Sequence, residues 1–142
     1  MKINFFRSIL LAVAAMVFCS AGHAQEVNVQ ATVPFAFMVG DQTYPAGEYA
    51  IKTIAAGNDS MYVKPRANTN PILIRATAHS ATQPADKTKL VFHERGGVYF
   101  LYQVWVAGSD VGREFPASHA EERMAMNTTK ADSVIVAAKV TR

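Results

Sequence analysis

Residues 89–108, KLVFHERGGVYFLYQVWVAG, constrain the fold more than any other stretch of this chain. They read as two apolar strands joined at Gly96-Gly97, a pair suited to the primed turns that match strand twist. A four-residue loop over 94–97 is the competing choice. The two registers differ by two residues, so both give the same faces. One face carries Leu90, Phe92, Tyr99, Leu101, Gln103 and Trp105. The other carries Val91, His93, Val98, Phe100, Tyr102, Val104 and Val106. Both are mostly apolar, whereas a surface strand alternates with polar residues. Residues 98–106 are therefore expected to be central and covered on both sides.

The first residues have a different logic. Lys2 and Arg7 make a basic start, residues 9–18 an apolar run too short to span a bilayer, and Gly22-His23-Ala24 a small-residue cleavage site. The expectation is a signal peptide over 1–24, cut between Ala24 and Gln25, and one domain over 25–142. Cys19 invites a lipoprotein reading, but bulky Phe18 precedes it where a lipobox needs a small residue. Removing Lys2 and Arg7 leaves 12 basic against 11 acidic residues, so the formal charge falls from +3 to +1. No basic stripe stands out to recruit nucleic acid or anionic lipid. The single cysteine leaves with the leader, and with it any disulfide, thiolate nucleophile or cysteine metal ligand.

Residues 26–39 alternate, with Val27, Val29, Ala31, Val33, Phe35, Phe37 and Val39 on one face. This predicts a half-buried strand, or two strands broken at Pro34. Gly40-Asp41 fits a hairpin turn, and Pro45-Ala46-Gly47 leads into a strand over 48–54 that points Tyr49, Ile51 and Thr53 one way. Gly57-Asn58-Asp59 reads as a turn, 61–64 as a short strand, 72–78 as another, 79–88 as a polar loop and 108–112 as a turn. Ser118-His119-Ala120-Glu121 matches a capping box and opens a helix of about two turns ending near Asn127. Residues 133–140 return to strand, Val134, Val136 and Ala138 opposed to Ile135, Ala137 and Lys139. The sum is an all-β chain: one small antiparallel sandwich or barrel of about seven to nine short strands with one short helix over 118–127. A membrane barrel fits poorly, because its strands need about 9–11 residues.

Two stretches, VPFAFMVGDQTYPAGEY (33–49) and residues 89–121 with LVFHERGGVYFLYQVW and Gly112-Arg113-Glu114-Phe115-Pro116, resemble a family of small exported bacterial proteins. The resemblance covers about half of the mature chain. It implies export and one β-rich domain, and carries no activity with it.

Catalytic and metal chemistry find little to use. A zinc or copper site needs three converging ligands. His79 falls in a loop, His93 near the hairpin turn, and His119 in the first helical turn with Glu122 three residues on. Glu94 and Glu114 sit beside Arg95 and Arg113 and read as surface ion pairs. No serine has a nucleophile-elbow context, and no glycine-rich phosphate loop is present. A hydrolase would need His93 or His119 against a serine or carboxylate in one cleft. No catalytic residue, metal ligand or cofactor is assigned. The candidate ligand contacts are Tyr99, Tyr102, Gln103 and Trp105, as an aromatic platform for a glycan or small molecule. The simpler reading packs those rings in the core. The expectation is a non-catalytic protein of the periplasm, envelope or exterior. It acts by contact with an envelope protein or a polysaccharide, with no nucleic acid and no membrane span after cleavage.

Overall fold

The structure, a computed structural model, describes residues 27–54, 59–67, 70–127 and 130–141. The leader, Cys19, the Ala24/Gln25 cleavage point and the Gly57-Asn58 part of a turn lie outside these residues. Strand β1 (Asn28–Val33) buries Val29, Ala31 and Val33 and turns Gln30 and Thr32 outward, as its alternation dictates. Pro34, with no amide to donate, ends it, and the chain resumes as β2 (Phe37–Val39). Gly40, at a φ of 57°, turns β2 into β3 (Gln42–Tyr44). Then come β4 (Gly47–Thr53), β5 (Ser60–Pro65), β6 (Ile72–Arg75), β7 (Thr77–Ser80), β8 (Lys89–Arg95), β9 (Val98–Trp105), β10 (Val111–Glu114), helix α1 (His119–Asn127) and β11 (Asp132–Val140).

Nine strands form one hydrogen-bonded path, β3-β2-β9-β8-β11-β1-β4-β5-β6, with β10 beside β9 and β7 beside β10. The sheet curls into a half-barrel around the apolar cluster of Val29, Val33, Phe37, Ile51, Met61, Val63, Leu90, Phe92, Leu101 and Val104. Two chain segments carry the curl. β11 pairs with β8 through residues 132–137 and with β1 through 138–140. β6 pairs with β5, and past fully buried Ala76 the chain continues as β7 against β10. All pairs are antiparallel except β2 with β9, which is parallel. That one pair departs from the expected antiparallel sheet, and the strands beyond the expected number are pieces of three or four residues.

The β8/β9 hairpin closes with Gly96 and Gly97 at φ of 58° and 83°, so the two-residue turn wins over the four-residue loop. Its faces differ from the sequence expectation. A bulge between Val91 and Phe92 pairs Val91 with Gln103 but Phe92 with Leu101, leaving Tyr102 as the extra residue. One extra residue inverts the parity of everything beyond it. Val104 therefore joins Leu90, Phe92, Tyr99 and Leu101 on the core side. Gln103 and Trp105 move to the other side with Val91, His93 and Phe100. That second side is covered as well: Phe100 is 2 % exposed, and Val91 and Trp105 are buried outside the main cluster.

Two local assignments also shift. The strand expected over 72–78 breaks at Ala76, and its second piece extends through His79 and Ser80, expected as loop, with every residue of 77–80 exposed. Backbone pairing to β10 alone holds this edge, so no hydrophobic period announces it. Gly112 lies inside β10 and not in a turn, because it packs flat against the Trp105 ring.

Candidate functional site

The residues singled out for ligand contact sit on or beside β9, and the bulge decides what each one meets. Tyr99 faces inward and stacks on Phe35 at 3.9 Å. Trp105 is buried and donates its indole N–H to Gln103 Oε1 at 3.0 Å. Gln103 in turn donates through Nε2 to Glu114 Oε2 at 2.8 Å. His79 reaches the same carboxylate oxygen at 3.1 Å and meets the Trp105 ring edge-on at 5.9 Å. Tyr102 stacks on His93 at 3.8 Å. Burial, then a hydrogen bond to Glu114 and the charges of Glu114 and Glu121, push its phenol pKa above the ordinary value, against a smaller opposing bond from Gln103. The structure thus brings Tyr102, Gln103 and Trp105 into one polar-aromatic layer and leaves Tyr99 on the opposite side.

Helix α1 closes one end of that layer. Ser118 Oγ accepts from the Glu121 amide at 3.1 Å, which is the expected N-cap. The reciprocal half of the capping box is absent. Glu121, the helix's one buried residue, instead sends its carboxylate to the sheet, 2.8 Å from His93 Nδ1 and 3.7 Å from Arg95 Nε. Arg95 and Arg113 do not pair with the neighbouring Glu94 and Glu114, since adjacent strand residues point to opposite faces. Arg113 reaches Asp59 at 3.3 Å. His119 and Glu122 are 3.7 Å apart, both on the exposed first turn.

Each described histidine thus has a carboxylate partner; that of His119 is the local Glu122, whereas those of His93 and His79 are 28 and 35 residues away and invisible in sequence. His93 with Glu121 supplies the base-and-orienter half of a hydrolytic site. The other half needs a nucleophile and a cleft. Ser133, opposite His93 in the β11/β8 register, stands exposed on the sheet, Ser118 is buried as the helix cap, and the ring of His93 lies against Tyr102. Among the described residues no three histidine, cysteine, aspartate or glutamate side chains are grouped to hold a metal ion. Among them, too, no helix is long and apolar enough to cross a membrane.

A groove of about 660 Å³ crosses the outer face of β11, β1, β4 and β5, lined by Gln30, Thr32, Ala50, Lys52, Lys64, Arg66, Ala137 and Lys139 among others. A smaller one of about 220 Å³ adjoins it at residues 43–49. The pairing register builds the groove. Lys139 is opposite Gln30, Gln30 opposite Ala50, and Ala50 opposite Lys64, one row across four strands with a methyl group at its centre. Lys52 stands two residues along β4 on the same face. Arg66 is held by Glu48 at 2.7 Å, whereas Lys52, Lys64 and Lys139 have no carboxylate within 4.0 Å among the described residues. Strand register thus assembles a basic strip that the sequence does not display. Its lysines are far apart in sequence and meet only through strand register. Comparison with protein-family models, with curated proteins and with solved structures finds no match.

Proposed function

We propose that this chain is an exported, non-catalytic domain of the cell envelope that works by surface contact, with the groove over β11, β1, β4 and β5 as its contact face. The observation that carries this reading is a division of labour between the two outer faces. Side chains able to do chemistry, His79, His93, Glu114, Glu121, Tyr102, Gln103 and Trp105, are joined to one another and packed between hairpin, helix and β10. The open concavity contains instead lysines, the Arg66–Glu48 ion pair, an amide, a hydroxyl and small residues. Such a lining suits reversible contact with a charged partner better than bond-breaking. The leader-like segment over 1–24 and a remainder without cysteine support export.

Fractionation of cells producing the full chain tests both halves. The protein should be recovered outside the cytosol with a mass beginning at Gln25. Purified in that processed form, it should be retained by envelope extract. Cytosolic recovery with an intact first residue would remove the export half; passage through the extract unretained would remove the contact half.

A further inference from the structure

We infer that the basic groove takes a linear polysaccharide bearing carboxylate groups; this deepens the contact reading above and rests on it. Lys139 and Lys64 stand at the ends of a row three interstrand steps long, about 14 Å between backbones at the usual strand spacing. Lys52 is offset along β4, so the three cations outline a strip and not a point. Ala50 keeps the strip low between Lys139 and Lys64 and Gln30 supplies an amide on its floor, while Ala137, Thr32 and the Glu48–Arg66 pair border it on the side away from Lys52. Ammonium groups on flexible stems suit carboxylates spaced along a chain, where the rigid fork of arginine would demand one fixed geometry. The one arginine in the lining, Arg66, is already engaged by Glu48.

Other anionic partners fit less well. A peptide strand would need a free sheet edge, but β1 and β4 are each hydrogen-bonded on both sides. Single-stranded nucleic acid needs exposed rings on which to stack. The only aromatic residue of the lining, Tyr49, is 4 % exposed and gives its hydroxyl proton to the Pro45 carbonyl. A bilayer surface is planar and calls for large apolar anchors, while the groove is concave and its apolar lining beyond Tyr49 is alanine and Pro65.

The test is binding of the processed protein to polygalacturonate at physiological ionic strength. Dextran, phosphatidylglycerol vesicles and oligothymidylate serve as the neutral, membrane and nucleic-acid comparisons. Polygalacturonate should bind in preference to all three. The variant Lys52→Glu/Lys64→Glu/Lys139→Glu should weaken it at least about tenfold at an unchanged urea midpoint. Equal charge reversal outside the groove, Lys87→Glu/Arg123→Glu/Lys130→Glu, should weaken it far less. Absent binding, equal losses in the two variants, or equal binding to vesicles or oligothymidylate would overturn the inference. If polygalacturonate fails while envelope extract still retains the wild type and releases the groove variant, the contact reading stands and only the polysaccharide assignment falls.

Discussion

Gly112→Ala should destabilise this protein by an amount set by one ring. A methyl group on Gly112 would lie 2.7, 2.8 and 2.9 Å from Cδ2, Cε2 and Cε3 of Trp105, against the roughly 3.5–4.0 Å at which carbon atoms rest. The indole must therefore retreat by about 1 Å. It has nowhere to go without loss, since its N–H is bonded to Gln103, which is bonded to Glu114. Overpacking of this kind costs about 1–3 kcal/mol, and an indole N–H pulled from its acceptor adds about 1–3 kcal/mol. Reduced freedom of the unfolded chain returns about 0.4–1 kcal/mol, since Gly112 is not in the left-handed region and alanine can adopt its backbone. The net expectation is a loss of about 2–4 kcal/mol. Trp105 is the sole tryptophan, so urea unfolding followed by its fluorescence reads the site directly. A smaller ring should relieve the clash, and Trp105→Phe combined with Gly112→Ala should lose less than the sum of the two single losses. A Gly112→Ala protein as stable as the wild type, or more stable, would refute the packing argument.

Two further outcomes follow from the same layer and from the core beneath it. Glu121→Leu strands Arg95 and His93 without their shared carboxylate and should cost about 2–4 kcal/mol, with amide exchange in α1 rising more than in β9. Unchanged exchange in the helix would show that the carboxylate does not dock it. Burial raises the phenol pKa values of Tyr44 and Tyr49, with Tyr44's charge adding to the shift at Tyr49, and burial with Glu114 raises that of Tyr102. A raised folded-state pKa means that the associated stability is whole below the unfolded value of 10.0 and is lost as pH climbs through the folded values. The urea midpoint should fall above pH 10, and Tyr44→Phe/Tyr49→Phe should flatten that fall. An equally steep fall in that variant would contradict the assignment.

Much of the frame was legible in the sequence. The alternation of Val29, Ala31 and Val33, the break at Pro34, the Gly96-Gly97 turn and the Ser118 cap are local signals, and each appears where its chemistry puts it. The covering of both faces of β9 was legible too, because apolar residues outnumber polar ones on either parity. What escaped was non-local or silent. Nothing in the aromatic run marks Tyr102 as a bulge, yet that one residue sends Gln103 and Trp105 away from the core. Strand β7 lacks a hydrophobic period because it buries nothing. The carboxylate partners of His79 and His93 come from β10 and α1, and the three groove lysines from β4, β5 and β11, so only the completed register reveals either set.

Separating stability from retention on envelope extract, in two variants compared side by side, tests the division between the structural layer and the contact face most directly. Gln103→Leu removes the acceptor for Trp105 and the donor to Glu114, and should lower the urea midpoint by the equivalent of about 1–3 kcal/mol while the folded protein is still retained. Lys52→Glu/Lys64→Glu/Lys139→Glu should do the reverse, keeping the midpoint and losing retention. Folded Gln103→Leu that passes through unretained, or a lysine variant held as firmly as the wild type, would contradict the account.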